Sequence, residues 1–317
     1  MNPMAHSPRR GALLLSLGGL LLSGFLFRAT AQDRALAGAS DITRVVLLGT
    51  GTPNAEPDRA GSAVAIVVNG APYLVDAGPG VVRRANEANR RGVQGLAPRM
   101  LNRVFLTHLH TDHTLGLPDL LFTPWVLERT DPLAVFGPPG TESMVTHIRA
   151  AYAADIEARL EGREPANPTG HQAVVREVEE GLVYEDENVR VTAYPVPHGY
   201  WAHAFAYRFE TPDRTIVVSG DTAPSDAIVE ACRGCDILIH EVYSQAGFDR
   251  RDPVWQEYHA ASHTSAPALG RLAARAQPGL LVLTHQLLWG ATPEELVAEV
   301  RSTFSGVVVY GRDLDVF

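Results

Sequence analysis

Apolar runs of strand length punctuate this chain, with Gly, Pro or Asp at their ends. They cover residues 44–49, 62–68, 73–76, 104–107, 189–194, 215–219, 237–240 and 280–284, and each reads as a β-strand. Helical patterns lie between several of them. The clearest covers residues 141–160, where Met144, Ile148, Tyr152, Ile156 and Leu160 recur four apart. That spacing predicts one amphipathic helix with the stripe packed inward. Early strands follow one another through short turns, whereas later ones alternate with helices. An α/β (α+β) architecture of two mixed sheets covered by helices satisfies both halves of the pattern. The segment 163–170 is rich in Pro, Asn and Gly and predicts a loop. Residues 49–53 lack G-K-S/T and G-x-G-x-x-G, so they read as a tight turn joining the first two strands rather than a phosphate cradle. No repeat or interdomain linker interrupts the pattern. The expectation is one domain over 43–317, preceded by a short lead-in, 32–42.

Residues 1–31 stand apart from it. Arg9-Arg10 precede an apolar run from Ala12 to Phe27 that only Ser and Gly interrupt, and Ala29-Thr30-Ala31 follows as a small-x-small cleavage pattern. The run is short for crossing ~30 Å of hydrocarbon. It reads as a cleaved signal peptide, and the paired arginines resemble a twin-arginine signal, which exports folded proteins. A periplasmic or secreted protein beginning near Gln32 is expected, with no stable membrane span after cleavage.

Composition narrows the chemistry. Of 317 residues, 45% are apolar and 20% charged, which suits a globular chain. The 36 acidic residues outnumber 27 basic ones, and every basic residue is Arg. The absence of Lys excludes Schiff-base catalysis, an S-x-x-K nucleophile and a P-loop lysine. Residues 1–31 carry three Arg and no acid, so their removal takes the net charge from −9 to −12. That balance gives no support for an extended nucleic-acid surface. Cys232 and Cys235 are the only thiols. They cannot complete a four-ligand zinc site. Their C-x-x-C spacing would permit a disulfide in an oxidising compartment, but the reading adopted is two small buried residues, at a helix end and the next strand's start.

The most informative string is Thr107-His108-Leu109-His110-Thr111-Asp112-His113, just past a buried strand. Alternation in an extended stretch puts His108 and His110 on one side, able to grip one ion. Asp112 and His113 follow where the chain turns and can face a second. Imidazole and carboxylate donors suit zinc, iron or manganese, including paired ions that share an oxygen bridge.

H-x-H-x-D-H is the signature of the metallo-β-lactamase-fold hydrolases, and this chain resembles that family over roughly residues 43–317. The other family elements occur in order: Asp76-Ala77-Gly78, His198 in Pro197-His198-Gly199, Asp221 in Ser219-Gly220-Asp221-Thr222, and His285 in Leu283-Thr284-His285. The resemblance implies a four-layer αββα sandwich and two Zn²⁺ per chain, with iron or manganese as other occupants. It implies that His108, His110 and His198 hold one ion, that Asp112, His113 and His285 hold the other, and that Asp221 bridges both. A water or hydroxide between the ions would attack the substrate, and Asp76 would support the ligands by hydrogen bonding.

Further residues resemble the tRNase Z and arylsulfatase-like branch. These are residues 48–53 (LGTGTP), Ala206-Tyr207-Arg208, and His240-Glu241-Val242, the last departing from that branch's His-Glu-Ala-Thr element in its final two positions. In that branch the histidine matched by His263, oriented by Glu241, protonates the leaving oxygen. Asp112, His263 and Glu241 are therefore the expected catalytic residues. Tyr200, Trp201 and His203 follow His198 and are candidates to line the pocket. One departure bears on substrate. The tRNA-maturing members carry a long basic arm between the third and fourth metal motifs, whereas residues 199–220 here hold two Arg and no Lys. The stretch between His113 and His198 is acidic and reads as a cap over the site. The expected function is an exported hydrolase of small phosphodiesters, aryl sulfates or related esters, the partner being that small ester; a homodimer stays open. A lactonase, or a tRNase Z-like endoribonuclease without the arm, is the alternative, ahead of a non-catalytic metal-binding protein.

Overall fold

The computed structural model describes residues 42–317. The expected export signal at 1–31 lies outside the described residues, as does nearly all of the lead-in at 32–42. Two sheets form the centre. The first places β1 (Thr43–Gly49), β2 (Ala63–Val68), β3 (Ala71–Val75), β4 (Arg103–Phe105), β5 (Leu133–Gly137) and β6 (Ala173–Glu177) side by side in chain order. The second runs in reverse order from β13 (Val308–Tyr310) through β12 (Leu280–Leu287), β11 (Ile237–Tyr243), β10 (Thr215–Val218), β9 (Phe205–Glu210) and β8 (Arg190–Pro195) to β7 (Gly181–Glu185). Each sheet starts antiparallel and continues parallel, as the shift from turns to helical crossovers predicts.

Strand periodicity builds the layers. Val45, Leu47, Val64 and Ile66 face Phe209, Ile216 and Ile239 across the gap between the sheets. Their neighbours Val46, Leu48, Ala65 and Val67 face outward onto α1 (Val81–Arg90), which follows β3. Val217, Leu238, Leu281 and Leu283 cover the opposite outer face. The order is helix, sheet, sheet, helix, the expected αββα sandwich.

The segment 141–160 differs from the single helix expected. After α2 (Thr111–Thr114) and α3 (Leu117–Val126) come α4 (Thr141–Ala151) and α5 (Ala153–Glu161), separated at Tyr152. Met144, Ile148 and Ile156 pack on the outer core, while Leu160 and Tyr152 are exposed. The Tyr152 ring lies 4.8 Å from that of Phe122. α4 packs on β5 and β6, so it belongs to the outer helical layer and is not a cap. The Gly49–Ala63 connection is a long loop rather than a tight turn, tied down by Asp313, whose carboxylate accepts from Thr50 and Ala60. Cys232 ends α6 (Asp226–Cys232) and is disulfide-bonded to Cys235. The left-handed turn at Arg233 and Gly234 brings their Cα atoms to 4.7 Å, which corrects the reading as two unlinked thiols.

The fold brings the ends of many strands to one edge. Asp76 follows β3, the histidine string follows β4, His198 follows β8, Asp221 follows β10, and Glu241 and His285 lie late in β11 and β12.

Candidate metal centre and active site

Three imidazole nitrogens converge first. His108 Nε2 lies 3.0 Å from His110 Nδ1, and His198 Nε2 lies 3.1 Å from the same atom. Asp221 completes this set, Oδ2 standing 3.9 Å from His108 Nε2. The second set joins Asp112, His113, Asp221 and His285. His285 Nε2 is 3.0 Å from Asp112 Oδ2 and 3.5 Å from Asp221 Oδ2. His113 Nε2 is 3.4 Å from Asp112 Oδ2 and from Asp221 Oδ1. Asp221 is common to both sets, and in each the ligand atoms lie within 4.8 Å of one another.

The surroundings aim these nitrogens. Asp76 Oδ2 accepts from His113 Nδ1 at 2.7 Å, leaving Nε2 free to face the site. Its other oxygen accepts from the Thr107 backbone at 2.8 Å, and the Thr107 hydroxyl both donates to Asp76 and accepts from His108 Nδ1 at 3.0 Å. The Ser262 carbonyl accepts from His198 Nδ1 at 2.7 Å. Asp76 and His285 hold left-handed backbones, φ 62° and 44°, a conformation that persists in non-glycine residues only where the surroundings impose it. Gly78 lets the Asp112 turn approach: a Cβ there would fall 2.5 Å from the Asp112 carbonyl oxygen.

Charge follows geometry. Burial, then the charge of His113, holds His108 well below the usual imidazole range. Burial takes His110 down to about 4 and also lowers His198, so this set offers neutral lone pairs. His113 and His285 shift upward: burial opposes it, but Asp221 with Asp76 or Asp112 prevails. Burial also opposes ionisation of Asp221, yet His285 and His113 hold it well below the carboxylate range. His113 Nε2 and Asp221 Oδ1 are buried without hydrogen-bond partners among the described residues. A cation between them satisfies both, so the donors fit a divalent metal ion.

Glu241, His263 and His285 form a third cluster sharing His285. Glu241 Oε1 accepts from the Thr264 backbone at 2.7 Å, and Oε2 stands 3.3 Å from His263 Nδ1. Burial, then the charge of Asp221, raises Glu241 well above its usual range, and burial depresses His263 to about 4. Of the three aromatic candidates after His198, only Trp201 touches the site, its indole nitrogen standing 2.6 Å from His110 Nε2. Tyr200 is fully solvent-exposed and His203 is exposed, and neither contacts the ligand nitrogens. Sequence reasoning passed over Thr107, whose position between a strand end and His108 was the available signal. It also passed over the Ser262 carbonyl, a backbone acceptor that leaves no trace in side-chain pattern.

A sandwich whose strand ends gather two His/Asp ligand sets around a shared aspartate defines a metallo-hydrolase. Residues 72–286 match the beta-lactamase superfamily domain, and the chain belongs to that superfamily, as a metal-dependent hydrolase acting on ester bonds. It is similar to the ribonuclease Z of Mycobacterium sp. (strain KMS), 35% identical over 274 residues, covering 85% of this chain and 94% of that one. With the ribonuclease Z of Mycobacterium bovis (strain BCG / Pasteur 1173P2) identity is 32% over 285 residues, covering 85% and 96%. The fold is shared with the short form of human tRNase Z (TM-score 0.65, 22% identity, 86% and 98% covered). It is also shared with a diphosphatase of the PhnP family (TM-score 0.59, 18% identity, 87% and 97% covered).

Proposed function

We propose that this chain is a phosphodiesterase using two metal ions. His108, His110 and His198 hold one, Asp112, His113 and His285 hold the other, and Asp221 serves both. Zinc suits these donors best, with iron and manganese as other occupants. Bound there, the ions would supply Lewis-acid polarisation of the ester and a more acidic water. The observation that carries phosphodiester chemistry is the third cluster. Glu241, held by the Thr264 N–H, stands 3.3 Å from Nδ1 of His263, so that once His263 is protonated its Nδ1–H can turn to that carboxyl group and its Nε2–H to a departing oxygen. A poor leaving group such as a sugar or alkyl alkoxide needs that proton.

An RNA phosphodiester is the substrate favoured by the similarity to mycobacterial ribonucleases Z over 85% of the chain. The second reading, a small phosphodiester or aryl ester, is favoured by the short His198–Asp221 segment. It forms only the β9–β10 hairpin, and its two arginines are engaged: Arg208 donates to the Ala231 carbonyl and Arg214 pairs with Asp213. Zinc-loaded protein should be assayed on a structured RNA with a 3′ trailer, bis-nitrophenyl phosphate, nitrophenyl sulfate and an acyl lactone. Phosphodiester turnover above sulfate and lactone is expected. Preferential lactone turnover that survives His263→Ala would overturn the reading, and trailer cleavage above that of the small diester would select RNA.

We further propose export through residues 1–31, a reading supported by the Cys232–Cys235 disulfide, since such bonds persist in oxidising compartments. N-terminal sequencing of processed protein should begin near Gln32; intact protein confined to the cytoplasm would contradict it.

A further inference from the structure

Beyond the metal-binding residues an aromatic surface continues outward from His263. The helix α8 (Pro253–Ser262), preceded by α7 (Gln245–Phe248), runs directly into His263. It carries Trp255, Tyr258 and His259 at i, i+3 and i+4, so all three share one face. Ring centroids form a continuous ladder: His285 to His263 at 5.7 Å, His263 to His259 at 5.5 Å and to Tyr258 at 6.2 Å, then Tyr258 to Trp255 at 6.0 Å. Trp289, four residues beyond His285, closes one side, 4.4 Å from His259.

Core packing does not account for this surface. Trp255 is 47% exposed and Tyr258 39% exposed, so the outer rungs present ring area to water. The Arg251 guanidinium lies 5.5 Å from the Trp255 centroid and 5.4 Å from that of Trp289, and its Nε is buried without a hydrogen-bond partner among the described residues. Trp289 is held at φ 45°, a left-handed backbone disfavoured for so bulky a residue. Gly247 permits it: a Cβ there would fall 2.2 Å from the Leu288 carbonyl. The Tyr258 hydroxyl is shifted upward by burial and then by the charges of Asp221 and Asp112, which agrees with a position at the mouth of the metal centre.

We propose that Trp255, Tyr258 and Trp289, with Arg251, form a stacking subsite for a planar aromatic ring carried by the substrate's leaving group, a nucleobase or an aryl ring. The proposal rests on the reading of His263 as the proton donor. The departing oxygen must lie at His263, and the ring attached to it then falls on the rings that begin there. Aromatic faces stack on any flat ring, and Arg251 adds a positive charge suited to an electron-rich ring or a second anionic group.

The test uses zinc-loaded protein and phosphonates in which a CH₂ replaces the departing oxygen, so that this link is not cleaved. Monomethyl benzylphosphonate and monomethyl cyclohexylmethylphosphonate differ only in ring aromaticity. Calorimetry should show the aromatic compound binding roughly tenfold tighter, with the ratio falling to about twofold or less in Trp255→Ala. Thermal unfolding and metal content of the variant establish that it folds and loads. In turnover, the kcat/KM ratio of phenyl to hexafluoroisopropyl phosphodiesters should fall by a similar factor through KM. An adenine-bearing analogue that binds tighter than the benzyl compound identifies the ring as a nucleobase, and the opposite order an aryl group. Equal binding of the benzyl and cyclohexylmethyl compounds, or a preference that survives both Trp255→Ala and Tyr258→Ala, overturns the subsite. An intact, Trp255-dependent preference without any phosphodiester turnover supports the subsite and overturns the phosphodiesterase reading instead.

Discussion

Asp76 grips His113 directly, at 2.7 Å from Nδ1, and reaches His108 through the Thr107 hydroxyl, so one carboxylate aims a histidine in each ligand set. Such partners set ligand orientation and basicity, and their loss typically costs ~10–100-fold in metal affinity. Asp76→Ala should therefore weaken metal binding by about that factor. Competition against a chelator would measure it, with far-UV circular dichroism as the check on folding. Wild-type affinity for both ions would show that the contacts to Asp76 are incidental.

Arg129 makes a comparable contribution to the scaffold. Its guanidinium is buried and donates to four backbone carbonyls, those of Leu101, Leu120, Leu121 and Gly170, at 2.7–2.8 Å. Burial lowers it to about 10, so it remains charged at neutral pH. Arg129→Leu would remove the guanidinium donors from four buried carbonyls, at a total cost of at least ~3 kcal/mol. A lower denaturant midpoint should record the loss while metal stoichiometry stays unchanged. A midpoint within error of wild type would mean that water replaces the guanidinium at little cost.

Which parts of this were legible beforehand follows from where each interaction is encoded. The seven residues of the candidate metal site sit at or just beyond strand ends, in a spacing that only a few backbone shapes can use, and the fold brings all seven together. The continuous apolar runs of β1 and β2 predicted burial, whereas β6, β7 and β13 were harder to see, because β6 and β7 have largely exposed positions and β13 is short. The break at Tyr152 was invisible because the four-residue stripe continues through it, whereas the backbone there leaves helical geometry at φ −101° and ψ 13°. Arg129 was unreadable for the opposite reason: its partners are backbone carbonyls, which any sequence supplies. Tyr200 and His203 stay open as pocket candidates, because nearness along the chain to His198 does not decide which side chains turn toward the site.

The β7–β8 turn carries its own acid sensitivity. Asp186 accepts from the Tyr73 and Tyr184 hydroxyls, each at 2.7 Å, and from the Asn188 and Val189 backbones. Burial alone would raise this carboxyl, but the four donors lower it. A depressed carboxylate stabilises the fold above its unfolded pKa, near ~4, and that stability is lost as pH falls through the folded value. The melting temperature should therefore decline below about pH 4, and Asp186→Asn should flatten that part of the decline while lowering stability at neutral pH. An unchanged slope would show that other carboxylates govern acid unfolding.

The final expectation separates proton delivery from metal assembly. Asp221 belongs to both ligand sets, so Asp221→Ala should lose bound metal and activity toward every substrate. His263 lies at 3.3 Å from Glu241 and 3.9 Å from Asp221, beside the two ligand sets rather than within either. His263→Ala should keep its metal, and its cost should depend on the leaving group. General-acid assistance contributes ~10²–10⁴-fold where the departing oxygen must be protonated. A nitrophenolate departs unaided, so activated esters should lose little rate, while alkyl phosphodiesters lose most of theirs. Plotted against leaving-group pKa, the variant's rates should fall more steeply than those of the wild type. Glu241→Gln should move the slope in the same direction by less, because the imidazole stays while the carboxyl group facing its Nδ1 is gone. Parallel slopes together with metal loss in His263→Ala would make His263 a structural or ligating residue, and the third cluster would then carry no argument for phosphodiester cleavage.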